Sequence, residues 1–192
     1  MTAYKGLNGD LTCTLGRGTF QYTRGETVRE ESSRCASRGM HCTEYPMECF
    51  AWYPPGKGNR YFEVEAAGSI DECGLDAKIA CTELTLLEEL TTAQLVVKGV
   101  MYMVEHPSRK WELHGANTEI KKDRAQADGK DSVAVARGRC PKVKGTEGSV
   151  LGLVCEDENG RIMDAKVFTV KDSIRPGVWY TLKDRQIKEA GR

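Results

Sequence analysis

Arg38-Gly39-Met40-His41-Cys42-Thr43-Glu44-Tyr45-Pro46, running on to Trp52-Tyr53 and then to Asn59-Arg60-Tyr61-Phe62-Glu63-Val64-Glu65, decides how this chain reads. Gly39 turns the chain into a short polar strand. Pro46 opens an amphipathic helix, because at the first helical position its missing N–H removes no hydrogen bond. Met47, Phe50 and Ala51 give that helix an apolar face, and Pro54-Pro55 ends it at about Tyr53. Arg60 to Ala66 alternates and is rich in β-formers, which predicts a strand. Strand, short helix and strand in one block point to an α+β arrangement.

Working outward toward the N-terminus, Thr2 to Leu7 predicts a strand closed by the Asn8-Gly9 turn, and Thr19-Phe20-Gln21-Tyr22 a second, shorter one. Arg29 to Arg34 reads as a charged connector. Toward the C-terminus, Lys78 to Leu84 predicts a strand. Thr85-Leu86-Leu87-Glu88 has the form of a capping box and predicts the start of the longest helix. Leu86, Leu87, Leu90, Ala93, Val97, Val100, Met101 and Val104 recur at helical spacing to about Glu105 and are expected to form its core face. Gly99 within that stripe either weakens the helix or permits close packing.

The predicted organisation is an α+β N-terminal domain over residues 1–105, a polar linker over 106–130, and a small all-β domain over 131–192. In the last, Asp131-Ser132-Val133-Ala134-Val135-Ala136 and Gly148-Ser149-Val150-Leu151-Gly152-Leu153 lie seventeen residues apart (132 to 149) and hint at a repeat. Asn159-Gly160 signals a hairpin between Leu151–Cys155 and Ile162–Val170. Pro176-Gly177 turns the chain into Val178 to Leu182, which is expected to pair with Gln186 to Glu189 across Asp184-Arg185.

The 192 residues are 40% apolar and 29% charged, with a formal net charge of zero, as in a folded globular protein. Charge is unevenly placed: residues 1–105 hold 10 Lys and Arg against 15 Asp and Glu, and residues 106–192 hold 18 against 13. No apolar run approaches the roughly 20 residues of a membrane span, and Met1-Thr2-Ala3-Tyr4-Lys5 lacks the apolar stretch of a secretory leader. A cytoplasmic location with no membrane partner is expected. The eight cysteines have no C-x-x-C pair and no zinc spacing, so free buried thiols and no metal site are expected. Cys42, beside His41, is the thiol a neighbouring base can activate.

Three patches together carry a resemblance: Ala3-Tyr4-Lys5-Gly6 with Phe20-Gln21-Tyr22, the block from Gly39 to Glu65, and Ile174-Arg175-Pro176-Gly177-Val178-Trp179-Tyr180-Thr181-Leu182. The set resembles an uncharacterised domain family common in phage and prophage proteins of bacteria. Asp131 to Leu153 is similar to a short remnant of the Gly/Ala/Ser-rich repeats of such proteins, themselves similar to the head repeats of trimeric β-roll adhesins. A more distant likeness is to ADP-ribosyltransferase-like folds, on Tyr4-Lys5-Gly6, Gly39 to Thr43, Pro46 to Tyr53 and Tyr61 to Glu65. That likeness implies that His41 or Thr43 contacts a ribose and that Glu63 or Glu65 is the carboxylate.

The candidate ligand-binding residues are therefore Lys5, His41, Thr43, Trp52, Tyr53, Glu63 and Glu65, with no catalytic set and no resident cofactor, although NAD or another nucleotide fits the likeness. Arg137, Arg139, Lys142 and Lys144 are the candidate partner-binding run. That run has no interleaved aromatic on which bases can stack, so nucleic acid is not an expected partner. The expected function is that of a phage-type accessory protein acting by binding, which antagonises a host process such as antiviral immunity through a host protein or a nucleotide signal. The alternatives are an NAD-dependent ADP-ribosyltransferase-like enzyme and a virion component that forms a homo-oligomer.

Overall fold

The computed structural model describes residues 1–14, 18–72, 74 and 77–191, and the chain divides into a first unit (1–53 and 57–91) and a second (54–56 and 92–192). Strand residues (51%) far outnumber helical ones (11%), so the chain is mixed but mostly β rather than a balanced α+β protein.

The first unit contains β1 (Thr2–Leu7), β2 (Thr12–Cys13), β3 (Phe20–Gln21), β4 (Thr27–Arg29), β5 (Met40–Thr43), a 3-10 turn (Pro46–Glu48) continuing into α1 (Cys49–Trp52), β6 (Arg60–Glu72) and β7 (Lys78–Leu90). β1 pairs with β5 and β6, and β7 pairs with β5, β6 and β4, all antiparallel. The pairings β1–β6–β7–β5–β1 form a closed ring, which removes most of the exposed sheet edge. Alternation sends Phe62, Val64 and Ala66 of β6 inward to meet Ala3, Leu7, Ile79, Cys81, Leu84 and Leu86. A bulge at Gly68 (φ +73°) lets Ser69 N–H donate to Thr82 Oγ1 at 2.8 Å.

Thr85 to Leu90, expected to open the long helix, instead completes β7. Val64 stands opposite Leu86, Glu65 opposite Thr85 and Ala66 opposite Leu84, so cross-strand pairing with β6 overrides the local helix signal. α2 (Thr92–Glu105) starts after Thr91, at a second tetrad of capping-box form, Thr91-Thr92-Ala93-Gln94. Its buried face is Leu95, Val96, Gly99, Val100 and Met103, whereas Val97, Met101 and Val104 of the expected stripe are exposed. The buried Gly99 belongs to a packed face.

The second unit continues with β8 (Leu113–Gly115), β9 (Thr118–Ala127), β10 (Val133–Gly145), β11 (Val150–Glu156), β12 (Ile162–Thr169), β13 (Tyr180–Lys183) and β14 (Gln186–Glu189). Residues 106–130 are thus no linker: β8 pairs antiparallel with β9, and β9 lies parallel to β10. The polar composition of β9 misleads because only alternate residues (Thr118, Ile120, Ala125, Ala127) face inward.

The hinted repeat is real as register. Val133 stands opposite Thr118 on one side, an offset of fifteen (118 to 133), and opposite Val150 on the other, an offset of seventeen (133 to 150). Ser132 and Ser149, both fully buried, face each other with hydroxyl oxygens 3.0 Å apart, and Ser132 Oγ donates to Gly129 O at 2.6 Å. Between Arg137 and Lys142 the register with β9 shifts, and the second half of β10 pairs with β9 and β13. β11 and β12 form the hairpin signalled by Asn159-Gly160, with Asp157 Oδ1 accepting from the N–H groups of Asn159 and Arg161. Asp184 and Arg185 both take positive φ (52° and 60°), as a two-residue hairpin turn between β13 and β14 requires. The core gathers Ala134, Ala136, Val143, Leu151, Leu153, Tyr180 and Leu182, with α2 packed on β11 and β12.

Six described cysteines are free, but Cys35 is disulfide-bonded, against the expectation of free thiols throughout. Proximity set by the fold, not sequence spacing, decides which thiols can pair. The Cys35 N–H donates to Asp71 Oδ2 at 2.6 Å, which ties this loop to the end of β6.

Candidate functional site

β1 and β5 pair at one position only, Tyr4 opposite Thr43. A cavity of about 490 Å³ lies in the first unit at this thin seam, walled by residues of β1, β5 and α1 and by the loops before β4 and β5. Lys5, His41, Thr43, Trp52 and Tyr53 line it, so five of the seven candidate ligand-binding residues are brought together. The volume falls in the usual range for a small-molecule site.

Lys5 occupies the inward phase of β1, between the fully buried Ala3 and Leu7, and is only 5% exposed. Its Nζ donates to His41 O at 2.6 Å and stands 5.1 Å from the centre of the Tyr22 ring. Among the described residues no carboxylate pairs with this ammonium. A buried cation normally has such a partner, since desolvation costs several kcal/mol.

His41 Nε2 is buried and has no hydrogen-bond partner. Burial first, then the positive charges of Lys78 and Lys5, hold the imidazole below its ordinary pKa, with a hydrogen bond to the Gly39 carbonyl opposing them. Its neutral ring therefore offers an acceptor. The folded chain binds this proton more weakly than the unfolded one. The stability it contributes is full above the unfolded value of 6.5 and is lost as pH falls from there through the folded value. A melting-temperature series from pH 8 to pH 5 is expected to bend downward below about 6.5, and His41→Gln to flatten that bend.

The other candidates divide. Thr43 Oγ1 donates to Glu48 Oε2 at 2.5 Å and accepts from Tyr45 N–H at 3.2 Å, so its hydroxyl fixes the start of the 3-10 turn. Tyr53 O–H donates to Cys13 Sγ at 3.2 Å, and Tyr53 O accepts from Tyr61 O–H at 2.7 Å, which fixes the aromatic wall. Trp52 is 47% exposed, with Lys78 Nζ 4.6 Å from its ring centre. Glu63 and Glu65 do not line the cavity. With Phe62, Val64 and Ala66 facing the core, alternation places both on the outer face of β6.

Sequence reasoning passed over Lys78, which faces Trp52, and the thiols Cys13 and Cys49. Strand alternation placed none of them at the cavity; tertiary packing does. Burial pushes the Cys49 thiol up to about 12. Cys42 is buried too, and its hydrogen bond to Cys81, together with burial, raises its pKa well above the ordinary value, so its neighbour His41 does not make it a thiolate. Among the described residues no group of three His, Cys, Asp or Glu can hold a metal ion, and no helix is long and apolar enough to cross a membrane. Gly16-Arg17-Gly18 is a short basic glycine stretch in the sequence, of which Gly16 and Arg17 lie outside the described residues.

The basic run of the second unit is split. Arg137 is 4% exposed, its Nε donating to Glu156 Oε1 at 2.5 Å under the Trp111 ring, and is not available to a partner. Arg139 is exposed. Lys142 and Lys144 are half-buried on an outer strand face, where Arg124 and Lys144 stand 3.9 Å and 5.0 Å from the centre of the Trp179 ring.

No curated protein and no solved structure matches the chain. The model of a domain of unknown function, DUF7666, matches residues 1–98, which takes in all of the first unit and the start of α2. With half of its length matched, the chain belongs to the DUF7666 family of domains of unknown function.

Proposed function

We propose that this is a binding protein whose first unit holds a small anionic ligand bearing an aromatic ring, of the nucleotide class. The observation that carries this reading is the Lys5 ammonium, nearly buried on the cavity wall with no carboxylate partner among the described residues. Lys78 adds a second cation, neutral His41 an acceptor, and Trp52 and Tyr53 an aromatic wall against which a base can lie. The biological role this fits is that of a phage-type accessory protein that antagonises a host process such as antiviral immunity by capturing a nucleotide signal or a host protein. Support for that role is the resemblance of the three sequence patches given above. NAD-dependent ADP-ribosyl transfer is less well supported, because it needs a carboxylate at the reacting centre and Glu63 and Glu65 face away from the cavity.

The test is thermal shift with NAD, ADP-ribose and cyclic dinucleotides on the wild type and on Lys5→Met. A ligand at 100 times its dissociation constant adds about 2.7 kcal/mol of stability to the wild type. Lys5→Met removes an unpaired buried charge and is expected to melt no lower than the wild type while losing the ligand shift. A wild type that shifts with none of these ligands sinks the proposal.

A virion role is favoured by one observation, the parallel stacking of β9, β10 and β11 at near-repeat offsets, as in a β-roll. Light scattering that gives a monomer at high concentration would count against it.

A further inference from the structure

We infer that the outer face of the sheet formed by the second halves of β9 and β10 with β13 and β14 binds a single-stranded nucleic acid. Lys142 stands opposite Arg124 on β9 and Thr181 on β13, and Thr181 stands opposite Lys188 on β14. Their neighbours in register, Val143, Ala125, Tyr180, Leu182 and Ile187, belong to the core or pack on it, so this row points the other way. Two residues along each strand, the same face carries Gln126, Lys144, Lys183 and Gln186. Five cations from four strands thus share one face, and none of its strand positions is a carboxylate.

Trp179 supplies what the sequence run lacked. The Arg124 guanidinium and the Lys144 ammonium both lie on the half-buried indole, at 3.9 Å and 5.0 Å, and neither makes an ion pair among the described residues. The ring therefore gathers two cations that no carboxylate neutralises among the described residues, and it places an aromatic side chain within the basic face. Of the remaining cations, Lys188 pairs with Asp184 at 3.0 Å and Lys142 donates to Gly191 O at 3.0 Å.

Cations two residues apart on a strand are about 7 Å apart, comparable with successive phosphates of an extended single strand, and neighbouring strands add rows about 4.8 Å away. Rows of positive charge with an aromatic among them are the usual means of holding single strands without sequence preference. A membrane surface or a protein hot spot would also call for exposed apolar side chains. None of the exposed large hydrophobic residues (Met163, Met101 and Val104 among them) lies on this face.

The experiment is fluorescence anisotropy of a labelled oligo-thymidylate with the full chain, across a salt series. Saturable binding is expected at about 50 mM salt, with log K falling against log salt by about 0.7 for each phosphate contacted, so a slope of roughly −2 to −3 for three to four contacts. Arg124→Glu with Lys144→Glu is expected to weaken binding at least tenfold, while Lys166→Glu, exposed on β12, leaves it unchanged. Lys142→Glu with Lys183→Glu repeats the test away from the indole, should the first pair disturb its packing. The inference is overturned by any of three results: no saturable binding by the wild type, folded charge-reversed variants that bind like the wild type, or heparin of matched charge bound as tightly as the oligonucleotide. The last would show a face that reads charge alone. None of these readouts involves the first-unit cavity, so this inference and the ligand proposal fail independently.

Discussion

Phe62→Ala is expected to destabilise the first unit by about 3–5 kcal/mol, the range for truncating a fully buried aromatic. Phe62 has no exposed surface and lies on β6 with Lys5 of β1 opposite on one side and Glu89 of β7 on the other. Its ring is therefore packed where the closed ring of strands is joined on both flanks, and β1 and β7 cannot collapse independently into the space it leaves. Against a typical total of 5–15 kcal/mol, that loss takes a large part of the stability. Chemical denaturation should show the transition of this unit at markedly lower denaturant. Phe20→Ala is the matched control: Phe20 is 41% exposed, and its loss should stay within about 1 kcal/mol. A Phe62→Ala transition displaced no further than that of Phe20→Ala would show that β6 is not the inner strand described.

Gly39→Ala is expected to have the second-largest effect, for a different reason. Gly39 takes φ +80°, a conformation that costs an L-residue about 1–2 kcal/mol. A β-carbon there would also sit 2.8 Å from Cys81 O and 3.1 Å from Ser33 Cα, both backbone atoms that cannot rotate aside. Strain and overpacking together should exceed about 2 kcal/mol. Because Gly39 leads directly into Met40–Thr43, the substitution should also displace His41 and weaken any ligand held in the cavity. Gly18→Ala separates the two contributions. Gly18 has φ +89° but open space around it, so it should lose only the conformational part. Equal losses at the two glycines would mean that the approach of Cys81 to Gly39 is not close.

Much of the first unit was legible in the sequence. Strand β1 over Thr2–Leu7, the start of β6 at Arg60 and of β7 at Lys78, and the turn of helix from Pro46 all follow from alternation, proline and glycine. The errors arose where two local patterns share residues. Leu86 and Leu90 satisfy both a helical stripe and a strand alternation, and only the presence of β6 alongside chose the strand. The cavity residues were legible for a similar reason: His41, Thr43, Trp52 and Tyr53 are close in sequence, and one strand-turn-helix connection keeps them close in space. Glu63 and Glu65 also came close in sequence, but the phase of β6 turned them outward.

The sequence by itself determined the short-range features: which segments alternate, where glycine and proline turn the chain, and that Ser132 and Ser149 recur seventeen residues apart. These rest on backbone sterics and hydrophobic period, which act between near neighbours. The tertiary structure alone decided what depends on pairing distant segments. It made β9 a parallel neighbour of β10 instead of a linker, left Lys5 on a cavity wall without a carboxylate, sealed Arg137 against Glu156, and brought Trp179 beside Arg124 and Lys144. Such contacts join residues up to tens of positions apart, and their energy exists only once the strands between them have been placed.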